Sequence, residues 1–98
     1  MSVNLQFDIS SSVRVALHVS VQQVIKACAD RHCYSELVVT ERSNQVLNNH
    51  IRWQTFEVIV FNVDSIAALA FLKDLAGDFE KHDIRSQIEV TRLAIFTE

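Results

Sequence analysis

The chain has 98 residues, 9 of them basic and 12 acidic, for a net charge of −3 at neutral pH, and 49% are hydrophobic. That is enough apolar material for one core without staples, so residues 1–98 read as a single domain. The charge has the wrong sign for a typical nucleic-acid binder, and one glycine with no proline excludes both the dinucleotide fingerprint and the P-loop.

Two cysteines do not make a disulfide framework, so a reducing compartment is expected. No basic residue precedes Arg14 and Asp8 comes early, which does not fit a secretory signal. No apolar run approaches the roughly 18 residues that cross a bilayer. The expectation is a soluble cytoplasmic protein with no membrane partner.

Val3, Leu5, Phe7 and Ile9 alternate with Asn4, Gln6 and Asp8, which predicts a half-buried strand over 3–9. Ser10–Ser12 interrupt it. Alternation resumes over 13–20, with Val13, Val15, Leu17 and Val19 on one face and Arg14, Ala16, His18 and Ser20 on the other. Ser20 is placed to cap a helix carrying Val21, Val24, Ile25, Cys28 and His32 at helical spacing. Residues 35–42 predict a second strand, closed by a turn at Ser43–Gln45, and Asn48–Asn49 marks another turn. Residues 52–63, RWQTFEVIVFNV, give the strongest strand signal. Asp64 or Ser65 then caps a helix over 66–82, with Ala68, Phe71, Leu72, Leu75 and Phe79 as its buried stripe. Gly77 falls inside that helix, at a cost of about 1 kcal/mol against alanine. A last strand covers 86–97, and its apolar phase shifts near Arg92, as a bulge would cause.

The order is βαββαβ. The fold class is therefore α+β in the ferredoxin-like arrangement, a mainly antiparallel sheet with both helices packed on one face. The sheet has four strands, or five if residues 3–9 form one of their own.

Helices on one side leave the other face open, and a monomer should make that face polar. The strand over 52–63 does not oblige. Phe56, Val58 and Val60 face the helices, while Trp53, Thr55, Glu57, Ile59 and Phe61 face away. Ala16 and His18, Val38, and Leu93 and Ile95 extend this set on neighbouring strands. A patch holding Trp and Phe with few charges resembles a contact surface, so a two-fold homodimer is expected. Glu57 and Arg14 are expected to neutralise each other across adjacent strands.

Candidate chemistry is thin. Cys28 and His32 lie four apart and share a helix face, but no further ligand is spaced to complete a zinc site, and Cys28 continues the apolar stripe. Cys33 lies at a helix C-terminus, where the dipole disfavours a thiolate. The strand that carries the basic-Gly-aromatic signature in RNA-recognition domains has no glycine here and carries Glu57. Neither a cofactor, a metal nor a nucleic acid is expected, and no residue is assigned as catalytic. His18, Arg14, Trp53, Glu57, Ile59 and Phe61 are the candidate interface residues. The expected function is a non-enzymatic protein–protein interaction or regulatory module. Two alternatives are a sensor with a small ligand at the dimer interface, and a small enzyme with His18 as base and Glu57 or Arg14 as its partner.

Overall fold

The computed structural model describes residues 2–95, with side chains described for 3–92. The elements run β1 (Ser2–Arg14), a 3-10 turn (Val15–Leu17), α1 (Val21–Arg31), β2 (Leu37–Leu47), β3 (Ile51–Asp64), α2 (Ala67–Lys81) and β4 (Arg85–Ile95). They form one four-stranded sheet of order β2-β3-β1-β4. Every neighbouring pair is antiparallel, as the βαββαβ reading requires. The side chains of Leu93 and Ile95, and residues 96–97 of the expected last strand, lie outside the described residues.

The largest difference from the sequence reading is in β1. Ser10–Ser12 do not break the strand; they lie in its middle. Ser11 takes a core position in the alternation of Val3, Leu5, Phe7, Ile9 and Val13, and is itself buried. Its hydroxyl donates to the Gln54 carbonyl at 3.2 Å, which removes the cost of burying it. The strand then stops at Arg14 because its partner stops. Arg14 pairs with Ile51, the first residue of β3. Val15 N–H makes one last bond to the His50 carbonyl at 2.9 Å. Beyond it the apolar alternation of 15–19 has no strand to pair with, and the chain coils into the 3-10 turn.

Between α1, α2 and the sheet lies the core. Leu5, Phe7 and Ile9 meet Val60, Val58 and Phe56 in register, beneath Ile25, Cys28, Phe71, Leu75 and Phe79. Phe7 and Phe71 meet edge to face with centroids 6.2 Å apart. Ser20 caps α1 as expected, accepting from Gln23 N–H. Asp64 instead accepts from Ile66 N–H in the turn before α2, whose N-cap, Ile66, has no side-chain cap bond. The Ser43–Gln45 turn does not form; β2 continues through it with a bulge at Arg42. The bulge expected near Arg92 is present, opposite Gln6 and Phe7.

One glycine means other residues must take the left-handed backbone. Asn48 (φ 54°) and Asn49 (φ 61°) do so in the β2–β3 hairpin, and Cys33 (φ 60°) and Asp83 (φ 58°) do so just beyond the two helices. Both helix ends close identically. Cys33 N–H bonds to Asp30 O and Tyr34 N–H to Ala29 O; Asp83 N–H bonds to Glu80 O and Ile84 N–H to Phe79 O. These are paired Schellman closures, normally built on glycine.

Candidate functional site

The open face of the sheet divides along its strands. On β1 it is polar throughout: Asn4, Gln6, Asp8, Ser10, Ser12 and Arg14. On β2 and β3 it is apolar at both ends and polar between. At the hairpin end Leu47 pairs with Ile51, beside Trp53; at the far end Val38 pairs with Ile59. Exposures of 46% for Leu47, 43% for Ile51, 38% for Trp53 and 47% for Val38 leave these side chains open to solvent. Phe61 follows Ile59 in the alternation, at the start of a bulge where Asn62 takes φ 57°. It borders a 170 Å³ cavity with Cys33, Tyr34 and Glu36.

The polar middle satisfies itself. Ser43 and Thr55 hydroxyls are 2.6 Å apart in a hydrogen bond, and Glu57 forms an ion pair with Arg42. Glu57, Asp8 and Glu89 stand in one cross-strand row, an arrangement that costs free energy unless countered. Arg42 counters it at one end. Asp8 Oδ1 is shielded from solvent with no hydrogen-bond partner among the described residues.

Trp53, Glu57 and Ile59 therefore share the face as expected, with Phe61 at its margin. His18 and Arg14 do not join them as expected. His18 caps the 3-10 turn with φ 52° and lies outside the sheet, exposed. Ala16, expected on the same face, lies within that turn. Arg14 is on the face but at its end, opposite Ile51, whereas Glu57 is opposite Asp8. Six residues of strand, about 20 Å, separate the two. The expected Glu57–Arg14 pair is replaced by Glu57–Arg42, and the acid–base constellation of the enzyme alternative is not assembled. Arg42 escaped the sequence reading because a bulge, invisible in alternation, turns it toward Glu57.

The other polar constellation ties the helices together. Arg31 Nη2 donates to Asp78 Oδ2 at 2.6 Å, and His32 Nε2 lies 2.8 Å from Asp74 Oδ2. The His32 ring stacks on Tyr34 and meets the edge of Phe71. Asp78 raises the Arg31 pKa chiefly through this hydrogen bond. Burial, reinforced by the Asp78 charge, pushes the Cys28 thiol up to about 12, and burial also raises Tyr34. Cys28 is an inert core thiol, and Cys33 is exposed. Among the described residues no three His, Cys, Asp or Glu side chains are grouped to hold a metal, and no helix is long and apolar enough to cross a membrane.

No family model matches the chain, and no curated protein matches it either. Solved structures do share the fold. The de novo designed protein Foldit4 aligns at TM-score 0.63 and 13% identity, covering 91% of this chain and 97% of that one. A hydantoinase/carbamoylase family amidase from Burkholderia ambifaria aligns at TM-score 0.60 and 10% identity; 95% of this chain matches 28% of the enzyme. The C-terminal domain of the MgtC protein from Mycobacterium tuberculosis aligns at 0.54 and 11%, covering 89% and 87%. At these identities the likeness is one of fold, and a fold shared by a designed protein and part of an amidase assigns no activity.

Proposed function

We propose that this chain is a non-enzymatic protein-interaction module that forms a two-fold homodimer through the open face of its sheet. The observation that carries the reading is the pattern on β2 and β3: apolar ends around a self-neutralised polar band. A two-fold axis lying in that face brings apolar clusters onto apolar clusters and band onto band, so one surface serves both partners. The size also suits. Eleven residues of strand at about 3.3 Å and four strands at about 4.8 Å give a face of about 700 Å², near the roughly 800 Å² per partner of a standard interface. The polar strands β1 and β4 then supply the rim. Two free cysteines suit a cytoplasmic setting.

Light scattering tests the reading directly. The wild-type chain is expected at twice the chain mass, with a melting temperature that rises with concentration. Trp53→Lys, which puts a charge into the hairpin-end cluster, is expected to return it to one chain mass. A wild-type chain that stays monomeric at high micromolar concentration would remove the proposal.

A further inference from the structure

At the hairpin end of the molecule, three neighbouring strands each carry an arginine: Arg14 and Arg85 on the open face, and Arg52, opposite the inward-facing Val13, on the covered side. Val13 pairs with Arg52 on β3 and Ser12 pairs with Arg85 on β4, so Arg14 on β1 stands within two residues of both junctions. Two cavities adjoin there and share Val13 and Arg14. One, of 260 Å³, is lined by Ser12, Arg14, Ile51, Asp83 and Arg85. The other, of 200 Å³, is lined by Arg14, His18 and Arg52, with Val19 just ahead of the α1 cap. Arg31 and Arg42 each hold a carboxylate. Arg14, Arg52 and Arg85 hold none among the described residues; Arg52 donates instead to the neutral Asn44 side chain.

The chain carries 12 acidic residues against 9 basic ones. Yet only Asp83 among the acids borders these two cavities. Gathering like charges without partners costs stability, and a bound anion offsets that cost. Guanidinium groups are forks of donors matched to oxyanions, and a serine hydroxyl between two of them adds a further donor. A volume of 260 Å³ lies just below the usual range for organic ligands, which restricts the occupant to something small. We infer that the cavity between Arg14 and Arg85 is a binding site for the phosphate group of a small molecule. Arg14 and Arg85 clamp its oxygens, Ser12 donates to them, and Arg52 supports the charge from the adjoining cavity. This does not rest on the homodimer reading, because all of these residues belong to one chain.

The test is an NMR titration of the full chain with sodium phosphate, against sodium chloride at matched ionic strength. Saturable shifts confined to the amides around Ser12, Arg14 and Arg85 are expected with phosphate alone. Arg14→Gln and Arg85→Gln are each expected to weaken binding by about tenfold or more, the scale of one lost charge-assisted hydrogen bond. Asp83→Asn, which removes the acid and keeps a residue tolerant of positive φ, is expected to tighten it severalfold. Lys26→Gln removes an equal charge on α1 and is expected to leave the affinity unchanged. Three results would each overturn the inference: no saturable shift with phosphate, equal weakening by Lys26→Gln, or acetate binding as tightly as phosphate. Arg14 and Arg85 are exposed, so their variants are expected to melt with the wild type.

Discussion

β1 and β3 lie side by side in register and share a core, yet their outward faces follow opposite rules. Both send apolar sets inward, Leu5, Phe7 and Ile9 from one and Val60, Val58 and Phe56 from the other. Outward, β1 shows only polar side chains between Asn4 and Arg14, while β3 shows Ile51, Trp53, Ile59 and Phe61. A strand that needs only to fold can look like β1 on its solvent side. The apolar outward set of β3 is covered by no helix and packs only against its neighbours within the sheet, so on the dimer reading it gains most from a second sheet laid against it. The covered side specifies the fold, and the outward face of β3 is the surface that the proposed dimer would use.

The sharpest measure of the covered side is thiol reactivity. Cys28 is fully buried with its pKa up at about 12, and Cys33 is exposed. Cys33, being exposed, is expected to alkylate in the native protein. Cys28 is expected to react only through global opening, at least about a thousandfold more slowly for a domain of ordinary stability. The same shift sets a pH dependence. The unfolded thiol ionises near 9.0 and the folded one near 12, so this contribution is complete below pH 9 and is lost as pH rises between the two values. Rapid modification of both thiols in the native protein would mean that the helices do not seal the sheet.

Next in size is Phe71→Ala. Phe71 is in edge contact with Phe7, His32 and Tyr34, so truncation opens a cavity where both helices meet the sheet. A loss of about 3–5 kcal/mol in chemical denaturation is expected. The uncovered side is read by a matched pair. Gln6 and Ile59 are directly opposite on the open face. Ile59→Lys is expected to weaken the dimer by about 2 kcal/mol or more, the scale of an interface hot spot. Gln6→Lys, one strand away, is expected to change it by less than about 0.5 kcal/mol. Equal effects of the two substitutions on dimerisation would erase the distinction between β1 and β3.

Much of this was legible from alternation alone, because burial on one face imposes period two on a strand and 3.6 on a helix. Both helix stripes, the inward set of β3 and the placement of Val38 follow from that. The length of β1 was not legible. Ser11 occupies a core slot through one hydrogen bond to Gln54, and Arg14 ends the strand only because the β2–β3 hairpin turns opposite it. Both facts live in the partner strand. His18 was misplaced for the same reason, and Glu57 lost its expected partner to a bulge. One signal was there to be read. Asp30-Arg31-His32-Cys33-Tyr34 and Glu80-Lys81-His82-Asp83-Ile84 repeat an acid–base–His–x–apolar pattern, and each closes its helix by the same two hydrogen bonds.

The last effect tests whether the outer side of the cover is free. Gly77 sits inside α2, where glycine costs backbone entropy in the unfolded chain and gains no contact in return. A Cβ built there meets nothing within 4 Å. Gly77→Ala is therefore expected to stabilise the fold by about 1 kcal/mol, visible as a higher denaturation midpoint at unchanged slope. A second molecule packed closely on this side of α2 would reverse the sign, because the added methyl would meet it. Stabilisation together with unchanged dimer mass would leave the open sheet face as the associating surface and the helical side as a finished exterior.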